Sequence, residues 1–171
     1  MLNNYQDKFK PLNWQVEPLD YTGPVMRLIG EPGVGKSRLA AEKVNAFCLK
    51  YPGAKAAIIT HDSARMFGGM MSQRIISTES IDDYSRKSRI LKYKNGSSIQ
   101  FIVPDGHMDS DIDIAWVENS SDINSTLWDT LRKQMRGRIA HWNQIIIEQR
   151  NGYAGLHFGG RVFYAPGYQD D

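Results

Sequence analysis

The amino-acid sequence predicts an α/β fold, with a mostly parallel sheet flanked by helices and one β-hairpin. Short apolar runs alternate with segments of helical periodicity, which is the pattern of such folds. A glycine-rich stretch at 30–35 separates the first apolar run from the first helical segment. The dipeptide Asn95-Gly96 stands between two further runs and is typical of a hairpin turn. A chain of 171 residues is of ordinary domain size, so we expect residues 1–171 to form one domain.

The first half of the chain predicts a strand, a helix and a second strand. Residues 25–29 form an apolar run, and 36–51 repeat apolar residues at helical spacing. Pro52-Gly53 ends this helix, and the apolar run at 56–60 follows. The connection is long enough for the two strands to be parallel. We therefore expect a βαβ unit.

The second half predicts a hairpin followed by alternating strands and a helix. Residues 89–94 and 97–103 flank Asn95-Gly96, for which we expect a type I′ turn. The remaining predicted elements are a strand at 112–117, a helix at 126–135, and two strands at 145–147 and 161–164.

Composition excludes several classes of protein. No apolar run approaches the roughly 20 residues of a membrane span, and the N-terminus lacks the features of a secretory signal, so we expect a cytoplasmic protein. The single Cys48 excludes an internal disulfide, and no zinc-site spacing is present. The net charge of +2 does not by itself indicate a nucleic-acid partner.

The most specific motif is a phosphate-binding loop. Residues 30–37 fit the pattern G-x-x-x-x-G-K-[ST] and stand between a predicted strand and helix, as that motif requires. Lys36 is expected to reach the β- and γ-phosphates of a nucleotide, and the Ser37 hydroxyl to bind Mg²⁺. The predicted nucleotide-binding residues of this loop and the helix after it are Gly30, Glu31, Pro32, Gly33, Val34, Gly35, Lys36, Ser37 and Arg38.

A second acidic motif follows downstream. Residues 113–117 form an apolar strand that ends in Glu118, as in a Walker B element, so we expect Glu118 to be the second metal-binding group. Hydrolases of this class usually carry a glutamate at the next position, where this chain has Asn119. An amide can position a water molecule but cannot accept its proton. Asn119 is therefore our catalytic candidate at this position, and we expect hydrolysis of the nucleotide to be slow or absent.

Taken together, these segments resemble the ATPase domain of the phage terminase large subunit, the motor that drives double-stranded DNA into a procapsid. Residues 9–15 (FKPLNWQ) resemble the family's adenine motif, in which Gln15 would contact the base. The segment 31–62 resembles its Walker A helix and second strand, and 113–138 its Walker B strand and following helix. NGSSIQF at 95–101 matches its hairpin. The resemblance implies a P-loop NTPase of the additional-strand type that uses ATP and Mg²⁺.

The resemblance also implies partners: double-stranded DNA, a portal, small terminase-type subunits, and further copies of the chain in a ring within a bacterial host cell. Exposed cations that would suit DNA phosphates occur in two clusters. The hairpin cluster comprises Arg86, Lys87, Arg89, Lys92 and Lys94, and the helix cluster comprises Arg132, Lys133, Arg136 and Arg138. For the hairpin cluster, charge that is simply solvated at the surface is at least as good an interpretation, and for the helix cluster an arginine that acts in trans on ATP is a competing one.

The sequence departs from the family in three ways. Asn119 replaces the catalytic glutamate, and no arginine lies in 90–131, where the trans-acting arginine is common. The candidates for this trans-acting arginine elsewhere in the chain are Arg65, Arg89, Arg132, Arg136 and Arg138. The third departure is length: terminase large subunits carry a carboxylate-rich nuclease domain after the ATPase domain, whereas no three-carboxylate site is visible in these 171 residues, so we expect no nuclease domain and no nuclease activity. Two alternatives remain open: a helicase-like DNA-dependent ATPase, and a nucleotide-binding assembly module without turnover.

Overall fold

The computed structural model describes residues 9–151 and 157–168, which form an eight-stranded sheet with helices on both faces. The strands are β1 (Val25–Ile29), β2 (Lys55–Ile59), β3 (Ile81–Ser85), β4 (Ile90–Tyr93), β5 (Ser98–Ile102), β6 (Ile114–Val117), β7 (Gln144–Gln149) and β8 (Arg161–Tyr164). The helices are α1 (Asn13–Asp20), α2 (Lys36–Lys50), α3 (Ser63–Ser72) and α4 (Ser125–Gln134), with short 3₁₀ turns at Thr78–Ser80 and Ser120–Asp122. Among these described helices, none is long and apolar enough to cross a lipid bilayer.

The sheet order is β3-β4-β5-β2-β6-β7-β1-β8. From β5 to β8 all neighbours are parallel, whereas β3, β4 and β5 pair antiparallel. The predicted α/β class and mostly parallel sheet are therefore confirmed. Strands β1 and β2 are not neighbours, because β6 and β7 lie between them. That insertion brings the carboxyl ends of β6 and β7 next to the loop that follows β1.

Each face of the sheet has its own hydrophobic layer. Helices α2 and α3 cover one face, where Leu39, Val44 and Met70 pack with Trp116 of β6. Helix α4 covers the other face, where Leu131 packs with alternate residues of β6 and β7. All six residues of β7 are buried, which explains why three isoleucines, Ile145 to Ile147, follow one another without alternating polar residues.

Three elements were not predicted: α1, α3 and β3. Helix α3 contains Gly68 and Gly69, which weaken helix propensity, and it begins at the side-chain cap of Asp62 on the Arg65 amide. Strand β3 lies at the sheet edge and contains two exposed aspartates, so it lacks the apolar alternation of a half-buried strand. For these two elements local sequence propensity is weak, and the structure depends on the packing of α3 against the sheet and on the pairing of β3 with β4.

The predicted hairpin is present, but the type I′ turn is wrong. The amide of Gly96 donates to the carbonyl of Tyr93, and the Tyr93 amide donates to the Ser97 carbonyl. Gly96 has φ +87°, whereas Asn95 has no positive φ, so a turn centred on Lys94 and Asn95 is followed by a left-handed glycine. The Asn95 side chain is instead used to donate to the Cys48 carbonyl at the end of α2, which favours this longer connection.

Candidate nucleotide-binding site

A cleft of about 780 Å³ opens at the carboxyl ends of the parallel strands. It lies between the loop after β1 and the ends of β6 and β7, with the first turn of α3 at its rim. The predicted residues that line it are Pro32, Gly33, Gly35, Lys36, Ser37, Arg38, Glu118 and Asn119. The fold thus brings the two predicted motifs, more than 80 residues apart in sequence, to one cavity.

The loop at 30–37 curls around the Lys36 side chain. Gly33 and Gly35 have φ values of +84° and +94°, a conformation that strains other residue types. The Lys36 ammonium donates to the carbonyls of Gly30 at 2.5 Å and Glu31 at 2.8 Å. Burial lowers the pKa of Lys36 from its ordinary value, and the nearby charge of Glu148 acts in the opposite direction. A cation is therefore held at the rim of the loop, facing the cleft.

Gln15 lies beneath this loop and is almost fully buried. Its amide nitrogen donates to the Gly35 carbonyl at 3.0 Å, and its amide oxygen accepts from the Leu12 amide at 2.8 Å. A methyl group on Gly35 would lie 2.8 Å from the Gln15 amide nitrogen. Gln15 therefore joins α1 to the phosphate-binding loop rather than lining the cleft.

The segment before α1 also contacts α2. The Arg38 guanidinium lies over the Phe9 ring, 5.3 Å from its centroid, and is paired with Glu42 at 2.7 Å. Residues 9–15 thus flank the phosphate-binding loop from one side. Gly30, Glu31 and Val34 complete the loop without lining the cleft itself.

Glu118 lies at the end of β6 and lines the cleft, as predicted for a Walker B acid. One of its carboxylate oxygens accepts from the Thr60 hydroxyl at 2.6 Å, and the other accepts from Arg65 at 2.6 Å. The hydrogen bond to Glu118 raises the pKa of Arg65, so this guanidinium stays charged. Glu118 is therefore fixed by the end of β2 and the start of α3.

Asn119 follows at the mouth of the cleft and is exposed. Its side-chain oxygen accepts from both the amide, at 3.1 Å, and the hydroxyl, at 2.8 Å, of Ser121. These bonds cap the 3₁₀ turn at Ser120–Asp122. The Asn119 side chain thus stabilises the 3₁₀ turn, at the position where Walker B hydrolases carry a glutamate.

Glu148, at the end of β7, is a cleft residue that the sequence interpretation missed. Its Oε2 accepts from the Ser37 hydroxyl at 2.9 Å, and its Oε1 accepts from the Trp116 indole at 2.8 Å. Burial raises the pKa of Glu148 to about 7, against the opposing effects of these two donors and of Lys36. An apolar strand that ends in a carboxylate was the signal used for Glu118, and IIIEQ carries that same signal.

Of the five arginines considered for a trans-acting role, Arg65 lines the cleft of its own chain. Arg89 lies in the connection between β3 and β4, with φ +55°. Arg132 lines a separate cleft at the amino ends of β1 and β7, and Arg136 and Arg138 line a depression beyond α4. The sequence interpretation also missed Arg150, which follows β7 and lines the same cleft as Lys36 and Glu118.

The oxygen atoms near Ser37 form a set of ligands that is suitable for Mg²⁺. This ion prefers oxygen ligands and is usually held by one or two carboxylates together with substrate phosphates and water. The cleft offers the Ser37 hydroxyl and the carboxylates of Glu118 and Glu148. Within 9–151 and 157–168, no group of three or more His, Cys, Asp or Glu side chains could hold a metal.

Three solved structures of bacteriophage proteins are similar in fold to this chain. A variant of the large terminase ATPase domain of Thermus phage P74-26 superposes with a TM-score of 0.69 at 16% identity, covering 92% of this chain and 82% of that one. Another structure of that domain gives 0.63 at 18% identity, covering 85% and 67%. The large terminase of bacteriophage HK97 gives 0.55 at 11% identity, covering 84% of this chain and 33% of that protein.

These comparisons establish that the chain has the fold of phage large-terminase ATPase domains. No protein-family model matches the chain, and no curated protein matches it in sequence. The likeness is therefore one of fold at low sequence identity.

Proposed function

We propose that this protein is an ATP-dependent motor domain that acts on double-stranded DNA, as a terminase large subunit does during packaging into a procapsid. Lys36 and the backbone N–H groups of the loop at 30–37, to which Pro32 contributes none, would hold the ATP phosphates. Ser37 and Glu118 would hold Mg²⁺, which neutralises phosphate charge when bound. A portal, small terminase-type subunits and further copies of this chain are the partners that we propose with it.

The contact between Lys36 and its own loop is the observation that carries the proposal. A lysine ammonium held by Gly30 and Glu31 carbonyls at the start of a helix is a site for an anion, because the helix amino end and the cation act together. A glycine-rich turn with no ligand would leave such a lysine in water rather than buried against the loop. The fold supports the same interpretation, since ligands bind at the carboxyl ends of parallel strands.

Residues 9–15 are proposed to bind the adenine side of the nucleotide. Gln15 uses one amide hydrogen and one oxygen lone pair in its bonds to Gly35 and Leu12, so part of its hydrogen-bonding capacity is left for a base. Its position against Gly35 would make the placement of the base depend on the same loop that holds the phosphates.

A second candidate function is a nucleotide-binding assembly module without turnover. Asn119 supports it, because its oxygen is occupied by Ser121 and an amide accepts no proton from water. In such a module ATP would hold copies of the chain together without being hydrolysed.

The helix cluster, Arg132, Lys133, Arg136 and Arg138, is our proposed DNA contact. All four residues are exposed at the end of α4 and just beyond it, with Asp111 lining the same depression as Arg136 and Arg138. In the hairpin cluster Lys92 lies directly across from Asp83, and Asp82 is exposed on the same strand, which partly neutralises that surface. Asp129 on α4 and Asp111 accompany the helix cluster in the same way, so we choose this cluster because its four cations stand together at one end of α4 and not because of its net charge.

The deciding experiment measures ATP binding and phosphate release with Mg²⁺, with and without duplex DNA. It compares the unaltered protein with Lys36→Ala and with Lys50→Ala, a matched control because Lys50 is exposed at the far end of α2. We expect Lys36→Ala alone to abolish binding, and DNA to stimulate release.

Lys36-dependent binding without release under any condition would favour the assembly module. Equal binding by all three proteins would contradict both candidate functions. Stimulation by single-stranded DNA together with strand unwinding would replace the packaging motor by a helicase-like ATPase.

A further inference from the structure

Glu148 occupies a strand position that faces the phosphate-binding loop. Strand β7 pairs with β1 on one side and β6 on the other, and Glu148 is in register with Leu28, two residues before Gly30. Its side chain is only 6% exposed. The carboxylate thus lies under the loop, between the strand that leads into it and the strand that carries Glu118.

Both oxygens of this carboxylate have specific donors. The Ser37 hydroxyl donates to Oε2 and the Trp116 indole to Oε1, and Trp116 is itself 1% exposed. An indole can only donate, so Trp116 selects an acceptor at this point and fixes the carboxylate in one orientation. A buried carboxylate is costly unless it is paired and hydrogen-bonded, which gives this arrangement a functional rather than a packing rationale.

Glu118 and Glu148 have different partners. Glu118 is bonded to Thr60 and Arg65, at the β2 side of the cleft, and no hydrogen bond among the described residues joins it to Ser37. The carboxylate that contacts the predicted Mg²⁺ ligand is therefore Glu148. This contact joins residues 111 positions apart and depends on the order of the strands.

We propose that Glu148 is the positioning residue of the Mg²⁺ site, accepting from the Ser37 hydroxyl and holding its oxygen towards the ion. This inference rests on the proposed nucleotide function and adds a residue to it. Trp116 supports Glu148 from the opposite side, as outer residues orient the direct ligands of metal sites. Glu118, fixed by Thr60 and Arg65, remains the carboxylate that we propose as a direct Mg²⁺ ligand together with Ser37.

The test separates metal-dependent from metal-independent binding. The affinity for ADP is measured with Mg²⁺ and with a chelator, for the unaltered protein, Glu148→Gln and Glu79→Gln; Glu79 is an exposed glutamate in the 3₁₀ turn at Thr78–Ser80. The binding of Mn²⁺ in the presence of ADP is followed by electron paramagnetic resonance. We expect Glu148→Gln to weaken Mn²⁺ binding by about ten-fold or more, as replacement of an outer-shell partner does.

Metal-free ADP binding is the readout that a merely structural role would change. We expect it to be altered little in Glu148→Gln, because Lys36 and the loop amides remain. Equal losses with and without metal would overturn the proposal, and so would unchanged Mn²⁺ binding. If the unaltered protein binds no ADP, or binds it independently of Lys36, the proposed function itself fails and this inference with it.

A measurement on the unaltered protein covers the case in which Glu148→Gln does not fold. Fe²⁺ bound with ADP, in the presence of ascorbate and peroxide, cleaves the backbone close to the ion. Cleavage near residue 148 as well as in the loop at 30–37 would support the proposal. Cleavage confined to the loop and the neighbourhood of Glu118 would overturn it.

Discussion

The side-chain amide of Gln15 donates to the main-chain carbonyl of Gly35 at 3.0 Å, which ties the first helix to the phosphate-binding loop. Truncation by Gln15→Ala leaves this carbonyl and the Leu12 amide without their partner, and we expect a loss of about 1–3 kcal/mol in the free energy of unfolding. Urea denaturation measures it, with Val16→Ala, an exposed site on the same helix, as control.

The same variant tests the proposed base contact. We expect Gln15→Ala to weaken ATP binding more than GTP binding, since the resemblance implies a contact with the adenine edge. Equal weakening of both nucleotides would assign Gln15 to support of the loop alone.

The Arg65–Glu118 ion pair gives a second prediction. Arg65 is 59% exposed, so the pair should contribute less than about 1 kcal/mol to stability. In Arg65→Ala we expect phosphate release to fall by roughly ten-fold, the effect of about 1.4 kcal/mol on a barrier, because Glu118 loses the partner that orients it. Arg86→Ala, an exposed site in the connection between β3 and β4, is the control, and thermal unfolding should be nearly unchanged in both variants.

Asn119→Glu tests whether the remaining site is complete. A glutamate at this position could still accept from Ser121 and would add a group able to take a proton from water. We expect phosphate release in the presence of DNA to rise severalfold, and Asn119→Gln, which stays neutral, to produce no such rise. Unchanged release by Asn119→Glu in assembled protein would count against a latent hydrolase.

Lys43 predicts a pH dependence of stability. Its ammonium donates to the carbonyls of Pro18, Leu19 and Tyr21 at the end of α1, and burial lowers its pKa from 10.5 to about 8. Between these two values the unfolded chain binds more protons at this site than the folded protein does. The contribution of Lys43 to stability therefore rises as the pH increases from about 8 to 10.5, by at most about 1.4 kcal/mol per pH unit.

Denaturation of Lys43→Met over the same pH range isolates this effect. We expect the variant to be less stable at pH 7, because three carbonyls lose their donor, and to lack the rise that the unaltered protein gains from Lys43. Parallel stability curves for the two proteins above pH 8 would refute the assignment.

The proposed DNA surface gives the last prediction. Replacing Arg132, Lys133 and Arg136 by glutamine should weaken duplex binding equally for different sequences and reduce its salt dependence, with a slope change of about 0.9 for each lost phosphate contact. The matched control replaces Lys87, Arg89 and Lys92 of the hairpin. A larger loss in the control would move the contact to the hairpin cluster.

Local sequence determined the glycine-rich loop at 30–37, the first strand–helix–strand elements and the hairpin. Residues 30–37 are contiguous, so their spacing alone defines how the loop presents its amides and Lys36. The hairpin was predictable for the same reason, whereas its turn type was not. Asn95 also caps the end of α2, a contact across 47 residues that no local pattern records.

The Ser37–Glu148 contact was decided by tertiary structure alone. The segment 144–149 predicts only a buried strand, and nothing local places that strand between β1 and β6. Once β7 is inserted there, its last residues lie beneath the loop, and a carboxylate that ends one more apolar run becomes the partner of Ser37. The sequence by itself thus determined which chemical groups are available, because spacing along the chain is local information. Which carboxylate meets which hydroxyl depended on strand order, which is set by packing of the whole sheet.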